Sequence, residues 1–318
     1  MRVLDAGPLP LTTVQDLGRP GHLRYGIPPS GPMDRLAFVA ANRLVGNADG
    51  AAGLECALVG PRLEAMRPCA IAVTGADMAP TVNGERRPRW TAIALRAGDQ
   101  VRLGPAKAGM RAYVAFSGGI DVPPVLGSRA TYMRGQLGGL EGRALRKGDT
   151  LRLFDAPIPP ARRVVDPPDA DPGLEVTVRV VLGPEADRFT EAGVKAFLTG
   201  AYELLQQSDR MGARLRGPRI AHARGHDIIS NGIALGTVQV PGDGQPIVLL
   251  VDRQSAGGYT KIATVCSFDI GRLAQQKPGR HVRFQAVDVA EAHRLLHEHR
   301  AATDRLVLET IGQRMEKS

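Results

Sequence analysis

Ala97-Gly98-Asp99-Gln100-Val101-Arg102-Leu103 and Lys147-Gly148-Asp149-Thr150-Leu151-Arg152-Leu153 follow one pattern: a glycine turn, then apolar and polar residues in alternation. Alternation with period two marks a strand with one buried face. Pro278-Gly279-Arg280-His281-Val282-Arg283-Phe284 is a weaker echo. Beyond these, further strands are expected at Cys69–Thr74, Arg111–Ser117, Glu175–Leu182, Thr237–Val240 and Ile247–Asp252. Helices are few: Asp34–Val45 with Asp34 as a potential N-cap, Asp187–Leu198, and Asp288–Arg300. Gly (38) and Pro (24) make about a fifth of the 318 residues without any low-complexity run, so they punctuate many short elements. The expected class is mainly β, closed or sandwiched, with a few helices.

Six prolines lie between Asp155 and Leu174, among mixed charges, a composition that suits a semi-rigid linker. This sets an N-terminal β domain over 1–155, a Pro-rich linker over 156–174, and a C-terminal β domain over 175–318 with a terminal helix. The tail after Arg300, Thr310–Ser318 especially, is expected to fray or to dock on a partner.

The net charge is +9, but only six of the 41 basic residues are lysine and they are scattered. No aromatic residues interleave with them in the manner of RNA or single-strand binders, so nucleic acid is not an expected partner. Three isolated cysteines, Cys56, Cys69 and Cys266, argue for a reducing compartment. The first residues lack a signal-peptide apolar region, and no apolar run reaches about 18 residues. The expected location is the cytoplasm, with no membrane contact.

The chemistry-bearing residues gather at glycines in three places. These are Thr12-Thr13-Val14-Gln15-Asp16-Leu17-Gly18-Arg19-Pro20-Gly21, Ser208-Asp209-Arg210-Met211-Gly212-Ala213-Arg214-Leu215, and Asp252-Arg253-Gln254-Ser255-Ala256-Gly257-Gly258-Tyr259-Thr260-Lys261. They form one composite site or several tight turns; burial of so many polar groups requires partners in either case. No GxxxxGK[ST] loop, GxGxxG, HExxH or cysteine pair is present. A metal site is therefore not expected, and His293 and His297 read as a solvated helix face. Arg210 offers a planar fork to a carboxylate or phosphate, or pairs internally with Asp209. Lys261 is an anion donor or acid/base group beside a glycine nest, or a surface lysine. Tyr259 offers a hydroxyl, or packs. Thr74-Gly75-Ala76-Asp77 is an oxyanion-binding strand end or a simple turn. Asp34 is a site carboxylate or a helix cap, with the cap the favoured reading.

Nearly the whole chain resembles the subunit-2 type carboxyltransferase family, which includes the C-type subunit of prokaryotic 5-oxoprolinase, the Kip antagonist and the matching domain of urea carboxylase, often labelled allophanate hydrolase subunit 2. The carrying motifs are TTVQDLGRPG (12–21), GIPPSGPMD (26–34), ANRLVGN (41–47), TGAD (74–77), AFSGGIDVPPVLGSRATY (115–132), GGLEGRALRKGD (139–149), SDRMGARL (208–215), the long run 228–265 and LAQQKPG (273–279). Ser255-Ala256 and Thr260 depart from the family's usual DRQTTGGYPK. The resemblance implies two cyclophilin-like β-barrel halves with a few helices. It implies a partner, a B-type or subunit-1 homologue forming a heterodimer or heterotetramer, and a third component. The implied activity is ATP-dependent opening of 5-oxoproline to glutamate, with ATP used by the complex and not through a P-loop here. The alternatives are carboxyl transfer from biotin carried on another chain to urea or an amide, and sequestration of a kinase inhibitor. For an amide substrate with negative charge, Lys261 and Arg210 are the expected anion donors, and Asp16, Asp34 or Asp252 the carboxylate. Tyr259 and Gln254 would position substrate, with Ser208, Asp209, Arg19, Thr74 and Gly75 as further contacts.

Overall fold

The computed structural model describes residues 1–9, 11–169, 171–183, 185–306 and 308–311. Of the tail after Arg300 expected to fray or dock, position 307 and positions 312–318 lie outside these; 301–304 end the last helix and Leu308–Thr310 forms a strand. The chain forms two compact units: Met1–Arg19, Ser30–Ala170 and Arg305–Ser318 in the first, Pro20–Pro29 and Asp171–Asp304 in the second. The main crossing between units falls inside the Pro-rich stretch. Part of that stretch is sheet, because Arg162–Val164 pairs antiparallel with Leu308–Thr310. Val164 is buried there and its amide donates to the Trp90 carbonyl at 2.9 Å.

The first unit holds two five-stranded sheets. One runs in the order Arg2–Asp5, Arg62–Glu64, Gln100–Arg102, Thr81–Val82, Glu85–Arg86, and the other Thr12–Gln15, Gly53–Ala57, Ala108–Phe116, Cys69–Asp77, Ala92–Leu95. Alternation decides what each face meets. Ile71, Val73, Ala112 and Val114 pack with Leu54, Leu63 and Val101 between the sheets. Their neighbours Ala70, Ala72, Tyr113 and Ala115 face Phe38, Ala41 and Leu44 of the helix Arg35–Leu44. Asp34 caps that helix, its carboxylate accepting from the Ala37 amide at 3.1 Å.

The turns at Gly98 and Gly148 fold alike. Asp99 and Asp149 each accept, at 2.7 Å, from the amide three residues back, Arg96 and Arg146. Gly98 (φ +89°) and Gly148 (φ +93°) supply the left-handed backbone that the turn needs. Gln100–Arg102 continues as a strand, whereas residues 150–153 make only isolated bridges, Thr150 to Arg2 and Leu153 to Ile120. The turn chemistry is local; the ladder depends on the neighbour.

The second unit closes a seven-stranded barrel: Glu175–Leu182, Lys261–Val265, Thr237–Gln239, Ile247–Leu249, Gly212–Arg216, Tyr202–Leu204, His281–Ala286. The first and last strands close it in parallel, with Val176 opposite Val282 and Val178 opposite Phe284. Phe197, from the helix Glu191–Thr199, stacks on Phe284 with ring centroids 4.4 Å apart. This helix begins later than Asp187, because Ala186–Arg188 is a 3-10 turn and Thr190 is the cap, accepting from the Gly193 amide at 2.9 Å. A separate two-stranded strap, Asp227–Gly232 with Ala256–Tyr259, lies outside the barrel ladder and carries Ile229 at 94% exposure. The helix Val289–Asp304 buries no residue, and His293 and His297 are exposed on it.

Candidate functional site

The segment 208–215 closes upon itself. The Ser208 hydroxyl accepts from the Arg214 amide at 3.0 Å, and Asp209 accepts from the amides of Met211 (2.8 Å) and Gly212 (3.1 Å). These are side-chain-closed turns, in which a carboxylate takes the donors a ligand would otherwise use. Arg210 pairs with Asp252: Nε to Oδ2 is 2.9 Å and Nη2 to Oδ1 3.4 Å. The two side chains are only 13% and 8% exposed. The Asp252 amide also donates to the Arg210 carbonyl at 2.9 Å, so backbone and side chains hold one junction.

The first unit treats its polar residues similarly. Asp16 accepts from the Gly18 amide (2.8 Å), the Ser128 hydroxyl (2.5 Å) and the Arg129 amide (2.5 Å). Arg19, 1% exposed, donates to the carbonyls of Ala130 and Val125. Both clamp the loop 125–131. The buried Thr74 hydroxyl donates to the Ala37 carbonyl at 2.6 Å, and the Gly75 carbonyl accepts from Arg89 at 2.6 Å. Glu55, buried, accepts from the Met33 amide and the Tyr113 hydroxyl, both at 2.9 Å, which sets the loop preceding the capped helix. Burial foremost, then the Glu55 and Asp34 charges, hold the Tyr113 phenol protonated far above its ordinary pKa.

The segment ending at Lys261 behaves differently. Lys261 lies on the barrel wall with its side chain 8% exposed. Its ammonium donates to the carbonyls of Tyr259 (3.2 Å) and Gly257 (3.4 Å) and sits 3.7 Å from Glu185 Oε2. The same Glu185 oxygen accepts from the Lys261 amide at 2.8 Å, and Glu185 Oε1 accepts from Asn231 of the strap at 2.8 Å. Gln239 is directly opposite Lys261 across the strand pair, and Gln254 donates to its carbonyl oxygen at 3.4 Å. Arg253 is buried beside them, donating to the Ile233 (3.2 Å) and Leu250 (3.3 Å) carbonyls, and its burial lowers its pKa. Tyr259 is 43% exposed on the strap.

Of the residues singled out in the sequence, Lys261, Gln254, Tyr259, Arg210 and Asp252 thus share the second unit. Asp16, Arg19, Asp34, Thr74 and Gly75 are built into the first. Sequence reasoning overlooked Glu185 and Gln239. Glu185 sits outside every polar cluster. Gln239 carried a signal: a carboxamide in Thr237-Val238-Gln239-Val240, whose residues are all buried, has to find partners or face a ligand. Chemically, this arrangement presents an ammonium and carboxamides on a walled surface, the kit for holding a carboxylate or a polarised amide carbonyl.

A family model described as the carboxyltransferase domain, subdomains A and B, matches residues 25–286. The chain is 37% identical to the C-type subunit of Escherichia coli 5-oxoprolinase over 92% of its length and 93% of that protein, and 35% identical to its Haemophilus influenzae counterpart over 92% and 94%. It is 34% identical to urea amidolyase of Lachancea kluyveri over 93% of this chain but 17% of that protein. Among solved structures, the urea amidolyase of K. lactis superposes with a TM-score of 0.87 at 31% identity, covering 98% of this chain and 20% of the larger one.

Proposed function

The chain belongs to the carboxyltransferase-domain family of subdomains A and B, and we propose that within it this is the C-type component of a multi-component 5-oxoprolinase, which opens the lactam of 5-oxoproline to glutamate with ATP. The observation that carries this reading is that the similarity to the two 5-oxoprolinase components runs through nearly the full length of both proteins, whereas a urea amidolyase has most of its chain elsewhere. The geometry around Lys261 supports it. A lactam acid brings a carboxylate and an amide carbonyl, and a walled ammonium beside Gln239 and Gln254 answers such oxygens. Lys261 would hold the anionic group, Glu185 would fix the ammonium, and Tyr259 and Gln254 would orient the ring. Arg210 and Asp252 would brace the wall rather than touch substrate. At the clusters around Asp16 and Asp209 the backbone amides are taken by those carboxylates, so they do not fit a nucleotide phosphate. The ATP site is assigned to another component, and the partner is a B-type or subunit-1 homologue, with a third component in the assembly.

The test is glutamate release from 5-oxoproline and ATP by the reconstituted complex, omitting each component in turn. Turnover should vanish without this chain, and Lys261→Ala should abolish turnover while leaving assembly intact. Full turnover by that variant would make Lys261 structural. A second reading, carboxyl transfer to urea or another amide from biotin on another chain, is favoured by the family model and the urea amidolyase relatives. It requires turnover that depends on a biotin carrier and bicarbonate.

A further inference from the structure

Gln239 is 2% exposed, and its Nε2 has no hydrogen-bond partner among the described residues. A buried amide donor left unpaired is destabilising, and leucine would fill nearly the same volume without that cost. Something other than stability therefore accounts for a carboxamide here. Its position supplies the reason. Gln239 faces Lys261 across the strand pair, so the carboxamide and the ammonium leave the same face of the barrel. The strap covers both. Its Gly257 and Tyr259 carbonyls take the ammonium, but no strap oxygen reaches Gln239. Gly257 lies directly against the amide: a methyl group there would stand 2.6 Å from Gln239 Nε2 and 2.8 Å from Ile233 Cδ1.

We propose that Gln239 is a ligand-binding residue: when the strap 256–259 lifts, Gln239 Nε2 and Lys261 Nζ together receive the oxygens of a small carboxylate-bearing amide. In the closed form the strap carbonyls stand where ligand oxygens bind the ammonium, and the Gln239 amide is the donor they fail to serve. The inference rests on Lys261 as the anion holder proposed above and adds the second donor.

The probe is 5-oxoproline, titrated by calorimetry into the full chain, alone and in the reconstituted complex, with unfolding temperatures recorded alongside. Gln239→Leu should bind about tenfold more weakly, the loss of one hydrogen bond to a charged or polarised oxygen. Its unfolding temperature should stay the same or rise, because an unserved donor has been removed. Gly257→Ala should also weaken binding, because the added methyl displaces the carboxamide. Unchanged affinity in Gln239→Leu, with Lys261→Ala losing binding, overturns this inference alone and leaves Lys261 in place. A lower unfolding temperature at unchanged affinity makes Gln239 a structural residue. Binding that survives Lys261→Ala, or no binding by the wild-type chain in either form, overturns the Lys261 reading and this inference with it.

Discussion

Residues 208–215 and 252–261 look alike on paper, each a glycine-rich run of charged and hydrogen-bonding groups, yet they fold to opposite ends. The first contains its own acceptors. Ser208 and Asp209 lie within a few residues of the amides they take, and Arg210 alone of the three reaches to a distant carboxylate, Asp252. The second, past Asp252, has no acidic side chain, and its two cations, Arg253 at the start and Lys261 at the far end, both need oxygens. Lys261 recruits carbonyls from the strap and a carboxylate from Glu185, 76 residues away in sequence, while the Gln239 Nε2 finds no partner among the described residues. Acceptors beside backbone donors consume one another locally, whereas side-chain donors must wait for oxygens from elsewhere. The density of polar residues does not tell which segment closes upon itself; the balance of donors and acceptors does.

The largest test of this contrast lies at the junction. Asp252→Ala removes the carboxylate that Arg210 meets in a largely buried position, which should destabilise the fold by about 3 kcal/mol. Urea unfolding would show it, and a loss below about 1 kcal/mol would mean that the pair is not structural. Replacing Arg210 and Asp252 together by Met and Leu should recover much of the loss.

Asp209→Ala removes a carboxylate that closes two amides of an exposed turn, so a smaller loss of about 1 kcal/mol is expected. Binding of 5-oxoproline should be unaffected. Weakened binding in a fully folded Asp209→Ala variant would put the first segment in the site and erase the distinction between the two.

The smallest effect is one of pH. His222 packs on Phe189 with ring centroids 4.8 Å apart, and its Nε2 lies 3.0 Å from the Val240 carbonyl, next to Gln239. Burial, and then the charges of His226 and Arg219, hold its pKa below the ordinary 6.5. The unfolded chain therefore takes up this proton first as pH falls. The His222 contribution to stability is intact above 6.5 and is lost as pH drops from there through the depressed native value. The urea midpoint should fall over that window, and His222→Gln, which keeps a donor for Val240, should flatten the fall. An identical pH profile in the variant would assign it to other groups.

Much of the architecture is visible in short-range pattern. Strands at Cys69–Asp77, Ala108–Phe116 and Glu175–Leu182 fall where alternation or apolar runs place them, and Asp34 caps its helix as its position suggests. The pattern fails where a neighbour decides. Residues 150–153 copy the Gly98 turn and lose the strand. Arg162–Val164, in a proline-rich stretch, becomes sheet because Leu308–Thr310 returns to pair with it. The site follows the same division. Lys261, Gln254 and Tyr259 could be picked out by residue type, but nothing near Glu185 in the sequence marks it as the carboxylate beside Lys261.

The order of residues along the chain is enough for the mainly β class, the turn chemistry at Gly98 and Gly148, the helix cap at Asp34 and membership in the family, because each rests on residues close together or on many ordered matches. No helix among the described residues is long and apolar enough to cross a membrane. Which charges are spent, and on what, is settled by the folded arrangement alone. Arg210 meets Asp252, Arg19 meets the carbonyls of the 125–131 loop, and Lys261 meets Glu185 because packing within each unit brings distant positions within 4 Å. A charged side chain in a chain of this length has dozens of potential partners, and the physical choice among them is made by which backbone atoms burial holds side by side.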